Sequence, residues 1–274
     1  MRTSHLRVAV VAFLFLLTSV GSVQGEWIET WNGPTNPDQS WSFLGLSDGP
    51  TGGFTNGIVS PGVYQLAVAG PVGLAPTGGA AAVAGWVTDP FSDATGGLRV
   101  RAVINPNNVT QSENIGVLAY LDPATLNGYA LTMNFQPGTL DISIFAGGSE
   151  TNLANNDIPG TFPSTDTFTL EFLLTGGTLT GRVYDSLSNP PLLEVSAIDA
   201  TYSSGLAGIL AQRAQTTPTL NGTFGTVTAV VPEPSAGVLA AAGVASIGCL
   251  LMRRRRPSEQ SVVSPICRER GGKF

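Results

Sequence analysis

The sequence predicts an all-β chain of antiparallel strands, a sandwich or a barrel, set between an N-terminal signal peptide and a single C-terminal transmembrane helix. Three observations lead there. Apolar and polar residues alternate with period two in segment after segment of residues 26–231. No run in that stretch carries helical periodicity. The 34 glycines, with Asn, Asp, Pro and Thr gathered between the segments, provide for many turns and bulges.

The N-terminus opens with Arg2, His5 and Arg7, followed by the apolar run Val8 to Leu17. Val23 and Gly25 then stand at the −3 and −1 positions of a cleavage site. This is the pattern of a secretory signal peptide, too short to span a bilayer as an anchor. Cleavage is expected between Gly25 and Glu26, with Gly21 the second choice. The strands follow. Leu98, Val100, Ala102 and Ile104 face one way, with Arg99 and Arg101 opposite. Tyr129, Leu131, Met133 and Phe135 repeat the pattern, as do Leu140, Ile142 and Ile144, and then Phe168, Leu170, Phe172 and Leu174. LTGRVYD, LLEVSAI, GLAGILA and GTFGTVTAV complete the series. One apolar and one polar face per strand suits sheets packed on one side only. TGG occurs at 51, 77, 95 and 175, at irregular intervals that mark turns and not a repeat.

Charge divides the chain. Residues 26–231 hold four arginines, no lysine and sixteen acidic residues, a net charge near −12. Phosphate binding needs clustered Lys and Arg, so nucleic acid is excluded as a partner. The only histidine is His5, and the only cysteines are Cys249 and Cys267. The exported domain therefore has neither, and its stability must come from burial without disulfides.

The order of the signals resembles a known group. EWIETWNGPTNPDQSW, GVYQLAVAG, DPFSDATGGLRVRAVINP, IGVLAYLDPATLNGYALTMNF, GTLDISIF and FTLEFLLTGGTLTGRVYD, then the stretch from Asp199 to Gly208 and the closing GTFGTVTAV, are similar to the concanavalin A-like lectin/glucanase sandwich, the laminin-G-like group. The resemblance covers most of 26–230. It implies a two-sheet jelly roll with a role in binding carbohydrate or in the structure of an extracellular polymer.

Catalytic chemistry is sparse. GLSDG at 45–49 matches G-x-S-x-G, but Ser47 has no histidine to take its proton, so a glycine-bounded turn is the better reading. Zinc and copper sites draw on His and Cys, which are missing. No phosphate loop exists. No cofactor is expected. Calcium is the one metal that the oxygen donors suit, at NNDIP (155–159) or NPNN (105–108), although no EF-type loop is present. A glycosidase needs two carboxyl groups flanking the scissile bond. The E-x-D-x-x-E pattern of glucanases of this fold does not occur. Glu194 and Asp199 fall on opposite faces of an ideal strand, and Glu171 stands alone in its own. The chain is therefore expected not to be an enzyme, with a glycoside hydrolase as the rival and a purely structural surface protein as a third reading. Trp27, Trp31, Trp41, Trp86, Tyr120, Tyr129, Tyr184 and Tyr202 are read as core or rim more readily than as a platform for sugar.

Residues 231–256 read VPEPSAGVLAAAGVASIGCLLMRRRR. The apolar run 236–252 would span about 25 Å as a helix, slightly less than a hydrocarbon core of about 30 Å. Arg253, Arg254, Arg255 and Arg256 place the C-terminal side in the cytoplasm, with residues 257–274 as a polar cytoplasmic tail. Pro232 and Pro234 keep the backbone around Glu233 extended. These three parts in this order look like the PEP-CTERM sorting signal. The resemblance implies recognition by an exosortase, a membrane-embedded sorting enzyme of Gram-negative bacteria, after export through the Sec translocon. It further implies transient inner-membrane anchoring, cleavage near the motif, and delivery to the cell surface or the extracellular polysaccharide matrix.

Overall fold

A computed structural model describes residues 27–31, 41–46, 54–69, 81–86, 90–105, 113–134, 138–157, 167–213 and 219–232 of the chain. In them the alternation becomes strands β1 (Trp27–Glu29), β2 (Ser42–Leu46), β3 (Phe54–Ser60), β4 (Val63–Ala69), β5 (Ala81–Trp86), β6 (Phe91–Ser92), β7 (Leu98–Asn105) and β8 (Glu113–Asp122). They continue as β9 (Asn127–Asn134), β10 (Thr139–Ala146), β11 (Ser149–Asp157), β12 (Phe168–Thr175), β13 (Thr178–Tyr184), β14 (Leu193–Ile198), β15 (Ser204–Arg213) and β16 (Thr219–Val230). A 3-10 turn at Asp93–Thr95 is capped by Ser92, whose hydroxyl accepts from the Ala94 N–H.

The strands form two antiparallel sheets. The first runs β14-β13-β12-β7-β16-β4-β3, with β1 on β16. The second runs β11-β10-β9-β8-β15-β5-β2, with β6 on β15. The expected two-sheet β-sandwich is the observed fold. The core lies between the sheets. Leu98, Val100, Ala102 and Ile104 of β7 and Phe168, Leu170, Phe172 and Leu174 of β12 face Ile115 and Val117 of β8, Leu131 and Met133 of β9, and Ile209 of β15. This buried apolar layer contributes the hydrophobic stabilisation of the sandwich.

The chain separates into two compact units, Met1–Pro232 and Glu233–Phe274, and the sandwich belongs to the first. Pro232 lies two residues beyond the end of β16 and is half-buried. The predicted helix 236–252, with Glu233, Pro234 and Arg253 to Arg256, lies outside the described residues, as do Gly25, Glu26 and Ser47 to Gly49.

The structure departs from the sequence reading in two places. β11, SETNLANND, is polar except at Leu153 and Ala154, which pack against the core, and has no apolar row to reveal it. It forms by pairing with β10 at the edge of the second sheet. The expectation of one polar face per strand also fails for the second sheet. Leu118, Leu121, Ala130, Phe145 and Leu210 pack into a separate cluster with Leu206. They alternate with the core residues of their strands, so this cluster sits on the outer face.

A bulge in β8 bends that sheet. Ala119 pairs with Tyr129 and Asp122 with Asn127, so β8 carries one residue more than β9 across this interval. The same excess appears against β15, where Leu121 faces Leu206 and Leu118 faces Gly208. Tyr120 takes up the extra length in the left-handed region, at φ 50°. Bulges of this kind sharpen the local bend and twist. The kink brings the Tyr120 backbone against both neighbouring strands, and both neighbours are glycine. A Cβ on Gly205 would stand 2.4 Å from the Tyr120 carbonyl carbon, and one on Gly128 would stand 2.9 Å from the Leu121 Cα. Their φ values of 153° and 152° are also ones that other residues rarely adopt. Gly205→Ala is expected to destabilise the protein by about 3 kcal/mol. Gly147→Ala, which meets nothing within 4 Å, should cost about 1 kcal/mol for its backbone angle alone. Denaturant midpoints at unchanged slope would check the difference.

Candidate functional site

The outer face of the second sheet is curled. Gln212 on β15 donates its side-chain N–H to Glu150 Oε2 on β11 at 2.8 Å. Gln212 shares a face with Leu210, and Glu150 pairs with Phe145, so both side chains belong to the outer face. Three strands lie between β15 and β11. At about 4.8 Å per strand, a flat sheet would hold the two backbones at least about 19 Å apart, and more because Glu150 also lies further along the strands than the row of Gln212. Two side chains of this length cannot meet across that distance, so the sheet wraps inward around the Leu118–Leu210 cluster. The outer face is concave.

Beyond the apolar cluster this face is polar. β8 contributes Asn114 and Gly116, β9 contributes Thr132 and Asn134, β10 contributes Asp141 and Ser143, and β11 contributes Asn152, Asn155 and Asp157. Thr132 and Ser143 are each 1 % exposed. Asn152 Nδ2 donates to Asp141 Oδ1 at 3.0 Å, and Thr139 Oγ1 donates to its other oxygen at 2.6 Å, which fixes that carboxylate. Three oxygens are shielded from solvent with no hydrogen-bond partner: Asn114 Oδ1, Thr132 Oγ1 and Gln212 Oε1. An unmet buried polar atom costs about 1–3 kcal/mol, and such atoms call for an explanation. All three lie on the outer face of the second sheet.

On the outer face of the first sheet a row of ion pairs joins the charged groups of four strands, while Arg99 Nε is shielded there without a partner. Four cross-strand partners form a row: Glu194 on β14, Arg182 on β13, Glu171 on β12 and Arg101 on β7. Arg182 Nε donates to Glu194 Oε2 at 2.6 Å, and its Nη1 lies 3.1 Å from Glu171 Oε1. Arg101 Nε donates to Glu171 Oε2 at 2.5 Å, and the Tyr184 hydroxyl donates to Glu171 at 3.2 Å. Burial by itself would raise the Glu171 carboxyl. The bonds from Arg101 and then Arg182 outweigh it and hold the group below the usual carboxylate range. Such a residue is a poor general acid, since that role needs a raised value.

The other sequence candidates are structural as well. Trp31 is buried, with its ring stacked on Tyr64 at 4.2 Å and tilted against Trp41 at 5.1 Å, while Trp27 packs edge-on against Trp41. The Trp31 indole donates at 2.6 Å to Gly225 O, a carbonyl released by a register shift in β16. The Tyr120 hydroxyl donates to Asp93, and that of Tyr129 donates to Asp199, each at 2.5 Å. Burial, reinforced by these carboxylates, pushes both hydroxyls well above their ordinary range. Asp199 is thereby committed to Tyr129, and Glu194 to Arg182. Tyr202 packs edge-on against Tyr129 and donates to Phe145 O. Trp86 is registered opposite Gly208.

Of the calcium candidates, Asn155 and Asp157 lie on β11 and Asn105 ends β7, in different sheets; residues 106–108 and 158–159 lie outside the described residues. The Asn156 amide is engaged with Glu194 O. Among the described residues, no group of three or more Asp, Glu, His or Cys gathers. Sequence reasoning missed one pair. Asp141 pairs with Asn155 and Thr139 with Asp157, so Asp141 and Asp157 are diagonal neighbours on the concave face. Because β11 is unreadable from the sequence, no signal could have joined them.

No protein-family model matches the sequence, and no curated protein matches it. Solved structures do. The exoplasmic/lumenal domain of VIP36 in its Ca2+/Man2-bound form is 11 % identical with a TM-score of 0.52, covering 77 % of this chain and 88 % of that one. A Bacillus subtilis protein of unknown function with a galectin-like fold is 13 % identical with a TM-score of 0.51, covering 77 % and 96 %. The GH43 protein BlXynB of Bacillus licheniformis is 9 % identical with a TM-score of 0.52, and the likeness spans 75 % of this chain but 39 % of that one. At these identities the likeness shows the fold alone. The chain is a β-sandwich of the galectin-like and concanavalin-like type.

Glu171 gives this description a pH signature. A carboxyl held low in the folded state adds stability above its unfolded value, near 4.3, and loses it as pH falls through the folded value. Unfolding free energy should therefore decline below about pH 4. Glu171→Gln should flatten that decline without removing the share that belongs to Asp199, whose carboxyl is also held low. Urea titrations at a series of pH values would check it.

Proposed function

We propose that the protein is an exported carbohydrate-binding protein whose concave second-sheet face holds a saccharide. The observation that carries this reading is the group of three shielded, unpartnered oxygens, Asn114 Oδ1, Thr132 Oγ1 and Gln212 Oε1, on one polar face. Saccharide hydroxyls are abundant donors of the kind these oxygens lack. Asn134, Asp141 and Asn152 border the same floor with further amide and carboxylate groups. Folds shared with a VIP36 domain in a Ca2+/Man2-bound form and with a galectin-like protein support the reading. Thr132→Val is expected to weaken glycan binding about tenfold, since it removes one hydrogen bond at nearly constant volume. Asn134→Ala should do so by a similar factor. Glycan-array screening with and without calcium, followed by titration of the best ligand, would check both. The array returning no ligand under either condition would defeat the proposal.

A glycoside hydrolase is the second reading, favoured by the diagonal placement of Asp141 and Asp157. Release of reducing ends from a bound glycan, abolished by Asp157→Asn, would establish it.

The C-terminal signal is proposed to direct sorting. Pro232, Glu233 and Pro234 form the recognition triplet, residues 236–252 the transient membrane helix, and Arg253 to Arg256 the orienting cluster. Mass spectrometry of the mature protein from a Gram-negative host with an exosortase should find no peptide reaching Phe274. Alanine at all three triplet positions should leave the intact chain in the inner membrane. Mature wild-type protein intact through Phe274 would refute the sorting claim.

A further inference from the structure

The charges of the sandwich are segregated by face. Every described arginine side chain, Arg99, Arg101 and Arg182, stands on the outer face of the first sheet, where Glu171 and Glu194 answer two of them. The concave face of the second sheet carries Asp141, Glu150 and Asp157, and no described side chain on it is basic. Two of these carboxylates are held by neutral partners, Asp141 by Thr139 and Asn152, and Glu150 by Gln212. Their negative charge is left uncompensated at the margin of the site. The unpartnered side-chain atoms in the floor are oxygens, and two of them belong to side chains at least nine-tenths buried, Thr132 and Gln212. Among the described residues the face is rich in acceptors and carries no cation.

We infer that this face selects its saccharide by charge, accepting amine-bearing and uncharged sugars and rejecting uronic-acid or sulfated ones. The inference rests on the reading of the face as a saccharide site. Hydroxyls and ammonium groups donate, and both can fill the three open acceptors. A carboxylate or sulfate on the ligand brings acceptors only. It meets negative charge on β10 and β11 with no arginine among the described side chains of the face to receive it, a mismatch that electrostatic recognition does not tolerate. An ammonium group is drawn by the same field. Because Glu150 and Asp157 are exposed, their influence is screened over about 8 Å at physiological salt, so the selectivity is steepest in dilute buffer.

The test titrates the full-length protein in detergent with three oligosaccharides of equal length: glucosamine, N-acetylglucosamine and galacturonic acid. At low salt the glucosamine oligomer should bind tightest. The neutral oligomer should follow with little salt dependence, and the galacturonate oligomer should bind at least tenfold more weakly than the neutral one. The paired substitution Glu150→Gln with Asp157→Asn preserves size and hydrogen bonding. It should bring galacturonate to within about threefold of the neutral oligomer and remove the glucosamine advantage. Galacturonate binding as tightly as the neutral oligomer would overturn the charge inference while leaving the saccharide site standing, and so would an unchanged ranking in the paired variant. Failure of all three ligands to bind would overturn the saccharide reading and the inference with it.

Discussion

The kink at Tyr120 is the constraint on which the shape of the second sheet depends. One extra residue in β8, matched by neither neighbour, turns Tyr120 into the core and Leu121 to the outer face. The sheet cannot stay flat through such a point. Glycine on both flanking strands lets the backbones close on the kink. The Tyr120 hydroxyl, bonded to Asp93, fixes its far end to the turn that precedes β7. The curvature seen in the Gln212–Glu150 contact follows from local geometry of this kind, together with the register shift between β10 and β11.

Curvature also explains the division of labour between the two outer faces. The first sheet pairs Arg101, Glu171, Arg182 and Glu194 internally, in a row of alternating charges in register across four strands, and leaves Arg99 Nε unmet. Breaking a partly buried row of this kind is costly because each ion would lose its partner. The second sheet folds its outer apolar residues into the curl and leaves its polar oxygens without partners. A face that meets its own hydrogen-bonding needs offers little to a ligand, whereas a face with open acceptors does. Carboxylates that could suggest acid–base chemistry are mostly engaged elsewhere: Glu171 and Glu194 with arginines, Asp93 and Asp199 with tyrosines.

Much of the fold was legible in the sequence. The alternations at Leu98–Ile104, Tyr129–Met133 and Phe168–Leu174 read directly as core-facing rows, and they are buried in that order. Of the candidate site, little was legible. β11 has no apolar period, so its acidic and amide residues could not be assigned to a sheet, nor Asp157 to Asp141. Glu171 looked isolated because its partners lie 70 and 11 residues away, joined only by strand pairing. The curl was hidden for the same kind of reason. A bulge leaves the composition of β8 unchanged and shows itself only in register. Trp27, Trp31 and Trp41 went the other way, since a place in the core or at its rim could be anticipated from their bulk, while the Gly225 carbonyl that anchors Trp31 could not.

The central claim is that a saccharide occupies the concave face formed by β8, β9, β10, β11 and β15. Amide chemical-shift mapping of the isotope-labelled protein, titrated with an oligosaccharide found to bind it, tests this most directly. The account predicts saturable shifts centred on Asn114, Gly116, Thr132, Asn134, Asp141 and Asn152, with the row at Arg101, Glu171 and Arg182 silent. Shifts centred on that row, or on the Trp27–Trp41 end of the sandwich, would contradict it.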